Sequence, residues 1–174
     1  AGATKDSAAG SSGSLISNYG NLTLDNVTVQ YVKKTVAKGD GGVISNNFDG
    51  STNNDAMVTI KNSVFDNNYT IRYGSVLYSK AKAVLVGSAF TNNKADGNGG
   101  VLCNHDGTQF SVDTCEFSNN VGKEGGVIWT NTVSLITDCA FKYNAGTSGG
   151  AIRNSGSDVK VENSIFAGNQ ATGN

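Results

Sequence analysis

Gly99-Gly100-Val101-Leu102, Phe117-Ser118-Asn119-Asn120, Gly125-Gly126-Val127-Ile128 and Phe141-Lys142-Tyr143-Asn144 follow one another within residues 99–144. The two phrases alternate, and both recur outward from this stretch. Gly41-Gly42-Val43-Ile44 and Gly149-Gly150-Ala151-Ile152 repeat the first, with Gly13-Ser14-Leu15-Ile16 and Gly74-Ser75-Val76-Leu77 as variants. Phe65…Asn68, Phe90…Asn93 and Phe166…Asn169 repeat the second. Successive phenylalanines are 25, 27, 24 and 25 residues apart. A period of this length marks stacked supersecondary units, none of which buries a core alone.

Each unit can be built from its phenylalanine. Seven and five positions before it stand apolar pairs: Val58/Ile60, Ala83/Leu85, Phe110/Val112, Val159/Val161 and the weaker Ser134/Ile136. That alternation predicts a half-buried strand. Three positions before it come Asn62, Gly87, Thr114, Asp138 and Asn163, which predict a corner. The Gly-Gly phrase predicts a third strand. Its fifth position holds Ser17, Ser45, Tyr78, Cys103, Trp129 and Arg153. Tryptophan and arginine cannot stack in a narrow interior, so this position is expected to face out. By alternation the Ile/Leu position faces in, and Leu15, Val43, Val76, Val101, Val127 and Ala151 face out as an apolar stripe.

The expected architecture is an all-β, right-handed parallel β-helix of about six coils, each of three strands. Residues 1–12 read as an N-terminal tail or partial coil, and 13–174 as the repeat domain, part of a longer array or of a stacked assembly. Phe65, Phe90, Phe117, Phe141 and Phe166 should form one ladder, and Asn68, Asn93, Asn120, Asn144 and Asn169 another. The absence of proline fits strands paired on both sides, and the 23 glycines fit many tight corners.

Bulk properties narrow the function. The formal net charge of -1 argues against a nucleic-acid or anionic-membrane partner. No segment is apolar enough to insert into a membrane. The chain opens without Met or a leader pattern, as a mature or cut chain would. Among outward carboxylates, Asp113 and Glu162 occupy equivalent positions two coils apart, with Thr137 between. That is about 10 Å by the ladder spacing, a thin basis for glycoside hydrolysis. A lyase would need a basic residue beside acidic calcium ligands, and no such cluster is visible. His105 is alone in its turn, with no nucleophile or ligand set around it. The reading is therefore no enzyme, no cofactor and no metal site.

Cys115 and Cys139 share an inward position on neighbouring coils, with Cα atoms about 4.8 Å apart. The distance suits a disulfide, but parallel side chains aim the sulfurs poorly, so two buried thiols are expected. Cys103 is expected to face out unpaired. Asn21-Leu22-Thr23, Asn26-Val27-Thr28 and Asn68-Tyr69-Thr70 match the glycosylation sequon, and Asn21 is its best candidate. Two excursions exceed a tight corner: Lys33 to Asp40, with Lys33, Lys34 and Lys38, and Asn47 to Ala56.

The alternation of Gly-Gly-Ala-Ile with Phe-x-x-Asn resembles the repeats of polymorphic outer-membrane proteins, the autotransporter adhesins of chlamydiae. With Asn-Ser-x-Phe-x-x-Asn it also resembles adhesin-like surface proteins of methanogenic archaea. The resemblance covers residues 13–169. Val29 and Val32 depart from it in the first coil, and no translocator barrel accompanies the repeats. It implies a secreted or surface-displayed segment that binds a host or neighbouring cell-surface protein or glycan. The sequence places that contact on the outer face at Tyr78, Cys103, Trp129 and Arg153. Two alternatives stand beside it: a filament subunit stacking head to tail, and a polysaccharide lyase or hydrolase.

Overall fold

The computed structural model of the chain describes residues 13–46, 56–105 and 109–173. The 1–12 tail, nearly all of the 47–56 excursion and the turn residues 106–108 lie outside the described residues. Four six-stranded sheets run the length of the molecule, and within each sheet every strand pairs with the strand one coil away. All of these pairings are parallel, as in Phe90 beside Phe65 on one side and Phe117 on the other. The fold is an all-β parallel solenoid of about six turns.

Four strands, not three, make a coil. The first sheet runs from Ile16–Asn18 to Ile152–Asn154, the second from Asn21–Asp25 to Val159–Glu162, and the third from Thr28–Gln30 to Ile165–Ala167. The fourth, absent from the sequence reading, comprises Lys33–Lys34, Tyr69–Thr70, Lys94–Ala95, Val121–Glu124, Ala145–Ser148 and Gln170–Ala171. Four of its strands have only two residues, too short for an alternation. Its inward positions are mostly small: Thr70, Ala95, Gly122 and Gly146. Lys34 is the exception. It belongs to this sheet rather than to a solvated loop, and its ammonium donates to the Gly39 carbonyl at 2.7 Å.

Left-handed backbone turns the corners. Asn26, Asn62, Thr114, Asp138 and Asn163 have φ between 49° and 55°, and Gly87 shares the position. Asparagine and aspartate tolerate this conformation because their short side chains bond locally. A second left-handed corner falls one residue before the ladder asparagine, at Asn67, Asn92, Asn119 and Tyr143 among others.

The apolar stripe predicted for the outer face is instead inside. Val43, Val76, Val101 and Val127 are fully buried and Ala151 nearly so; only Leu15 of the first coil is exposed. From Val76 to Ile128 strict alternation fails because of a bulge in each coil. The N–H groups of Val101 and Leu102 both donate to the Val127 carbonyl, each at 2.9 Å. Those of Val127 and Ile128 share the Ala151 carbonyl in the same way. Two consecutive residues then face one partner, and both side chains turn inward. They join Ile60, Leu85, Val112 and the phenylalanines in one continuous core.

Both predicted ladders form. The rings of Phe65, Phe90, Phe117, Phe141 and Phe166 stack with centroids 4.7–5.3 Å apart and interplanar angles of 6–11°. In the asparagine ladder each Oδ1 from Asn93 onward accepts two bonds from the coil before it, while Asn68 Oδ1 accepts one, from the Val32 backbone N–H. Asn120 Oδ1 takes the Asn93 backbone N–H at 2.9 Å and Asn93 Nδ2 at 3.2 Å. Asn120 Nδ2 donates to Asn144 Oδ1 at 3.0 Å and to the Phe90 carbonyl at 2.9 Å. The amide thus spends its acceptor and both donor hydrogens inside the protein, which is what a buried amide requires.

Cys115 and Cys139 are free and buried. They are more than small apolar fillers, because they continue a hydroxyl ladder. Ser63 N–H donates to Ser88 Oγ at 3.1 Å, Cys115 N–H to Cys139 Sγ at 3.5 Å, and Cys139 N–H to Ser164 Oγ at 3.1 Å.

Candidate outer-face site

The fifth position of the Gly-Gly phrase was expected to be exposed. The structure brings Tyr78, Cys103 and Trp129 together on adjacent strands, with Arg153 next in register. They point away from the main core, as the register required, but they are not exposed. Tyr78 is 6%, Cys103 3% and Trp129 8% accessible, and with Tyr73 they form a second apolar cluster. Arg153 alone remains at the surface, its Nε 3.9 Å from Glu124 Oε2.

The cover comes from two short segments that sequence reasoning did not connect to this face. Tyr73 stacks beside Tyr78, with ring centroids 6.5 Å apart and planes 26° apart. Arg72 lies over the Tyr73 ring at 5.1 Å and donates to Asp40 Oδ1 at 2.9 Å. His105 stacks on Trp129 with centroids 5.3 Å apart, and is 6.4 Å from Tyr78. Its imidazole therefore occupies the step above Cys103, the small residue between the two large rings. The lone histidine is thus part of an aromatic wall. A signal for this existed: a small residue between two aromatics in register needs a filler.

A cavity of about 130 Å³ remains among Tyr73, Tyr78, Asn98, Cys103, His105 and Trp129. Trp129 Nε1 is buried and has no hydrogen-bond partner among the described residues. A larger groove of about 790 Å³ crosses the outer face of the second sheet, over Lys82, Val84, Ser111, Leu135 and Lys160. Phe110 is the one aromatic residue in its lining, and no orphaned buried polar atom lies among its described lining residues.

The outward carboxylates are occupied by neighbours. Asp25 pairs with Lys61 and Glu116 with Lys142, at 3.2 and 3.0 Å. Asp113 accepts from Thr137 at 2.6 Å, and Glu162 meets Lys160 at 3.0 Å. For Asp66, burial pushes the carboxyl up, but hydrogen bonds from Thr91, Asn92 and Asn67 hold it below the usual carboxylate value. Among the described residues no group of three His, Cys, Asp or Glu side chains could hold a metal ion. No described helix is long and apolar enough to cross a membrane.

Within this frame, the segment from Gly87 to His105 contains one of each element: a left-handed corner, Phe90, Asn93 and Gly99-Gly100-Val101-Leu102. Residues 87–105 match the Chlamydia polymorphic membrane protein repeat. Polymorphic membrane protein repeats belong to outer-membrane or surface proteins. The matched segment runs from the phenylalanine sheet through the fourth sheet into the outer-face cluster, ending on Cys103, Asn104 and His105. The sequence is also similar, at 32% identity over 165 residues, to metabotropic glutamate receptor-like protein R of Dictyostelium discoideum. That similarity covers 92% of this chain, and the chain spans 10% of the relative. No solved structure gives a significant match.

The thiols make the solenoid sensitive to alkali. Burial pushes the Cys115 thiol up from 9.0 to about 12. Burial also raises Cys103, helped by the charge of Asp40, and it raises Cys139. Unfolded thiols ionise near 9, so above that pH the unfolded chain releases protons that the folded one keeps. The stabilisation is complete below about 9 and drains away toward the folded values. Lys34 acts in the opposite sense. Burial lowers it from 10.5 to about 8, so its contribution rises between those values. Three thiols outweigh one amine. Urea unfolding should therefore show lower stability at pH 10.5 than at pH 9. Replacing Cys115 and Cys139 by serine, which already fills this ladder at Ser63 and Ser88, should recover roughly 2 kcal/mol at pH 10.5 from Cys115, with a further gain from Cys139. An unchanged loss in that double variant would contradict this origin.

Proposed function

We propose that this chain is an extracellular, adhesive segment of a surface-displayed protein, wound as a right-handed solenoid and carrying no enzymatic activity. Its partner is a protein or glycan on a host or neighbouring cell, and its contact site is the outer-face cluster of Tyr78, Cys103, Trp129 and Arg153. The observation that carries this reading is the polymorphic membrane protein repeat at residues 87–105, whose last residues enter that cluster. Engagement of the outward carboxylates by Lys and Thr side chains supports a structural rather than a hydrolytic role for them.

Head-to-tail stacking is the weaker reading. Phe166 is 49% and Ile165 61% exposed on the last coil. A second copy would meet them with its first coil, where Val29 and Val32 replace the phenylalanine and the asparagine. Val32 offers no side-chain oxygen for the Asn169 amide.

Particles coated with the chain should adhere to cells, and Tyr78→Ala or Trp129→Ala should reduce adhesion several-fold while the circular dichroism of the strands is retained. Equal adhesion by both variants removes the cluster as the contact site. Release of reducing or unsaturated ends from a polysaccharide panel would overturn the non-enzymatic reading.

A further inference from the structure

The outer-face cavity has a floor, a rim and a buried indole N–H in its lining. Cys103, Tyr78 and Trp129 form a buried floor, while Tyr73, Asn98 and His105 are half-buried at its edge. The indole is more than nine-tenths buried, yet its N–H donates to nothing among the described residues. A buried donor without a partner is unfavourable, and a ligand that accepts the bond removes that cost.

Size limits what can enter. At about 130 Å³ the cavity is well below the roughly 300–1,000 Å³ of sites that enclose a whole drug-sized ligand. It admits a substituent, with the rest of the ligand lying on the rim. The substituent must present a small apolar surface to Cys103 and the aromatic faces, and one acceptor to Trp129 Nε1. An acetamido group has both, a methyl and a carbonyl oxygen. The rim then selects the carrier. Asn98 and His105, on the rim, stand where the hydroxyls of a sugar ring would lie. An acetylated lysine would bring only a methylene chain to these polar groups.

We propose that this cavity binds the acetamido group of an N-acetylhexosamine on a cell-surface glycan, with its carbonyl accepting from Trp129 Nε1–H. The proposal rests on the adhesive reading and names the ligand class of the same site.

Trp129 is the chain's one tryptophan, so its fluorescence reports occupancy directly. Titration with N-acetylglucosamine and with N-acetylgalactosamine should give saturable fluorescence changes, whereas glucose should give none. By calorimetry, Trp129→Phe, which keeps a ring and removes the N–H, should weaken N-acetylglucosamine binding on the order of tenfold. Absence of saturation by either acetamido sugar overturns the proposal. So does equal binding of glucose, unchanged affinity in Trp129→Phe, or binding of N-acetyl-lysine amide as tight as that of the sugars. Adhesion of coated particles without sugar binding would sink the glycan assignment while leaving the adhesive reading intact; failure of particles coated with the unaltered chain to adhere would sink that reading.

Discussion

Asn120→Leu is expected to cost at least about 4 kcal/mol, lowering the melting temperature by roughly 10 °C or more. The leucine fills nearly the same space and keeps none of the bonds. It strips the acceptor from the Asn93 backbone N–H and from Asn93 Nδ2, and the donor from the Phe90 carbonyl and Asn144 Oδ1. These groups are buried, and each orphaned one costs about 1–3 kcal/mol. The asparagine ladder therefore makes adjacent coils interdependent, because one amide serves three of them. Asn169→Leu is the control. Asn169 Oδ1 accepts from Asn144 and its amide donates to the Phe141 carbonyl, but nothing described stacks beyond it, and it is partly exposed. Its loss should be clearly smaller in the same urea titration. Equal effects at the two positions would mean the ladder is not what couples the coils.

Gly125→Ala should be the next most damaging, at roughly 3 kcal/mol or more. The first glycine of the Gly-Gly phrase has a φ of +67°, where an alanine pays about 1–2 kcal/mol for conformation alone. Its Cβ would also overlap the carbonyl of Ile128, a backbone atom of the adjoining strand that cannot swing aside. Relief requires the bulge at Val127 and Ile128 to open, which loosens two core residues at once. Gly20→Ala makes the comparison: a Cβ there has nothing within 4 Å and the backbone needs no positive φ. That variant should melt within about 2 °C of the parent, or slightly above it. A Gly125→Ala protein as stable as Gly20→Ala would show that the phrase is not conformationally required.

These two residue types explain what was legible in the sequence. Phe117 and Asn120 had to repeat because like stacks on like, and Gly125 because only glycine fits that corner. Each requirement is renewed in every coil, so it leaves a period. The fourth sheet leaves almost none. Tyr69–Thr70 and Lys94–Ala95 are too short to alternate, and what they ask of the inward position is smallness, which Thr70, Ala95 and Gly122 meet with different residues. The bulge was hidden for another reason. Val101 and Leu102 read as one inward and one outward residue of a regular strand, and only the shared Val127 carbonyl shows that both turn in.

The outer-face cluster was half visible. That Tyr78, Cys103 and Trp129 share one face follows from the repeat, and the structure places them there in register. Their burial does not follow from it. It depends on Tyr73 and His105, which lie on corners outside the repeating phrases and reach the face only through the path of their own loops. Sequence periodicity reports what every coil shares. A site made by one coil's departures is written in single residues, and the Trp129 indole, without a hydrogen-bond partner among the described residues, can be recognised only once its surroundings are known.

The account stands on in-register stacking, and contacts between phenylalanine rings test it most directly. With the five ladder phenylalanines selectively labelled, nuclear Overhauser spectra should connect Phe65 to Phe90, Phe90 to Phe117, Phe117 to Phe141 and Phe141 to Phe166, each pair with rings about 5 Å apart. Phe65 and Phe117 should show no direct contact. Missing consecutive contacts, or rings joined in any other order, would contradict the solenoid and everything placed on its faces.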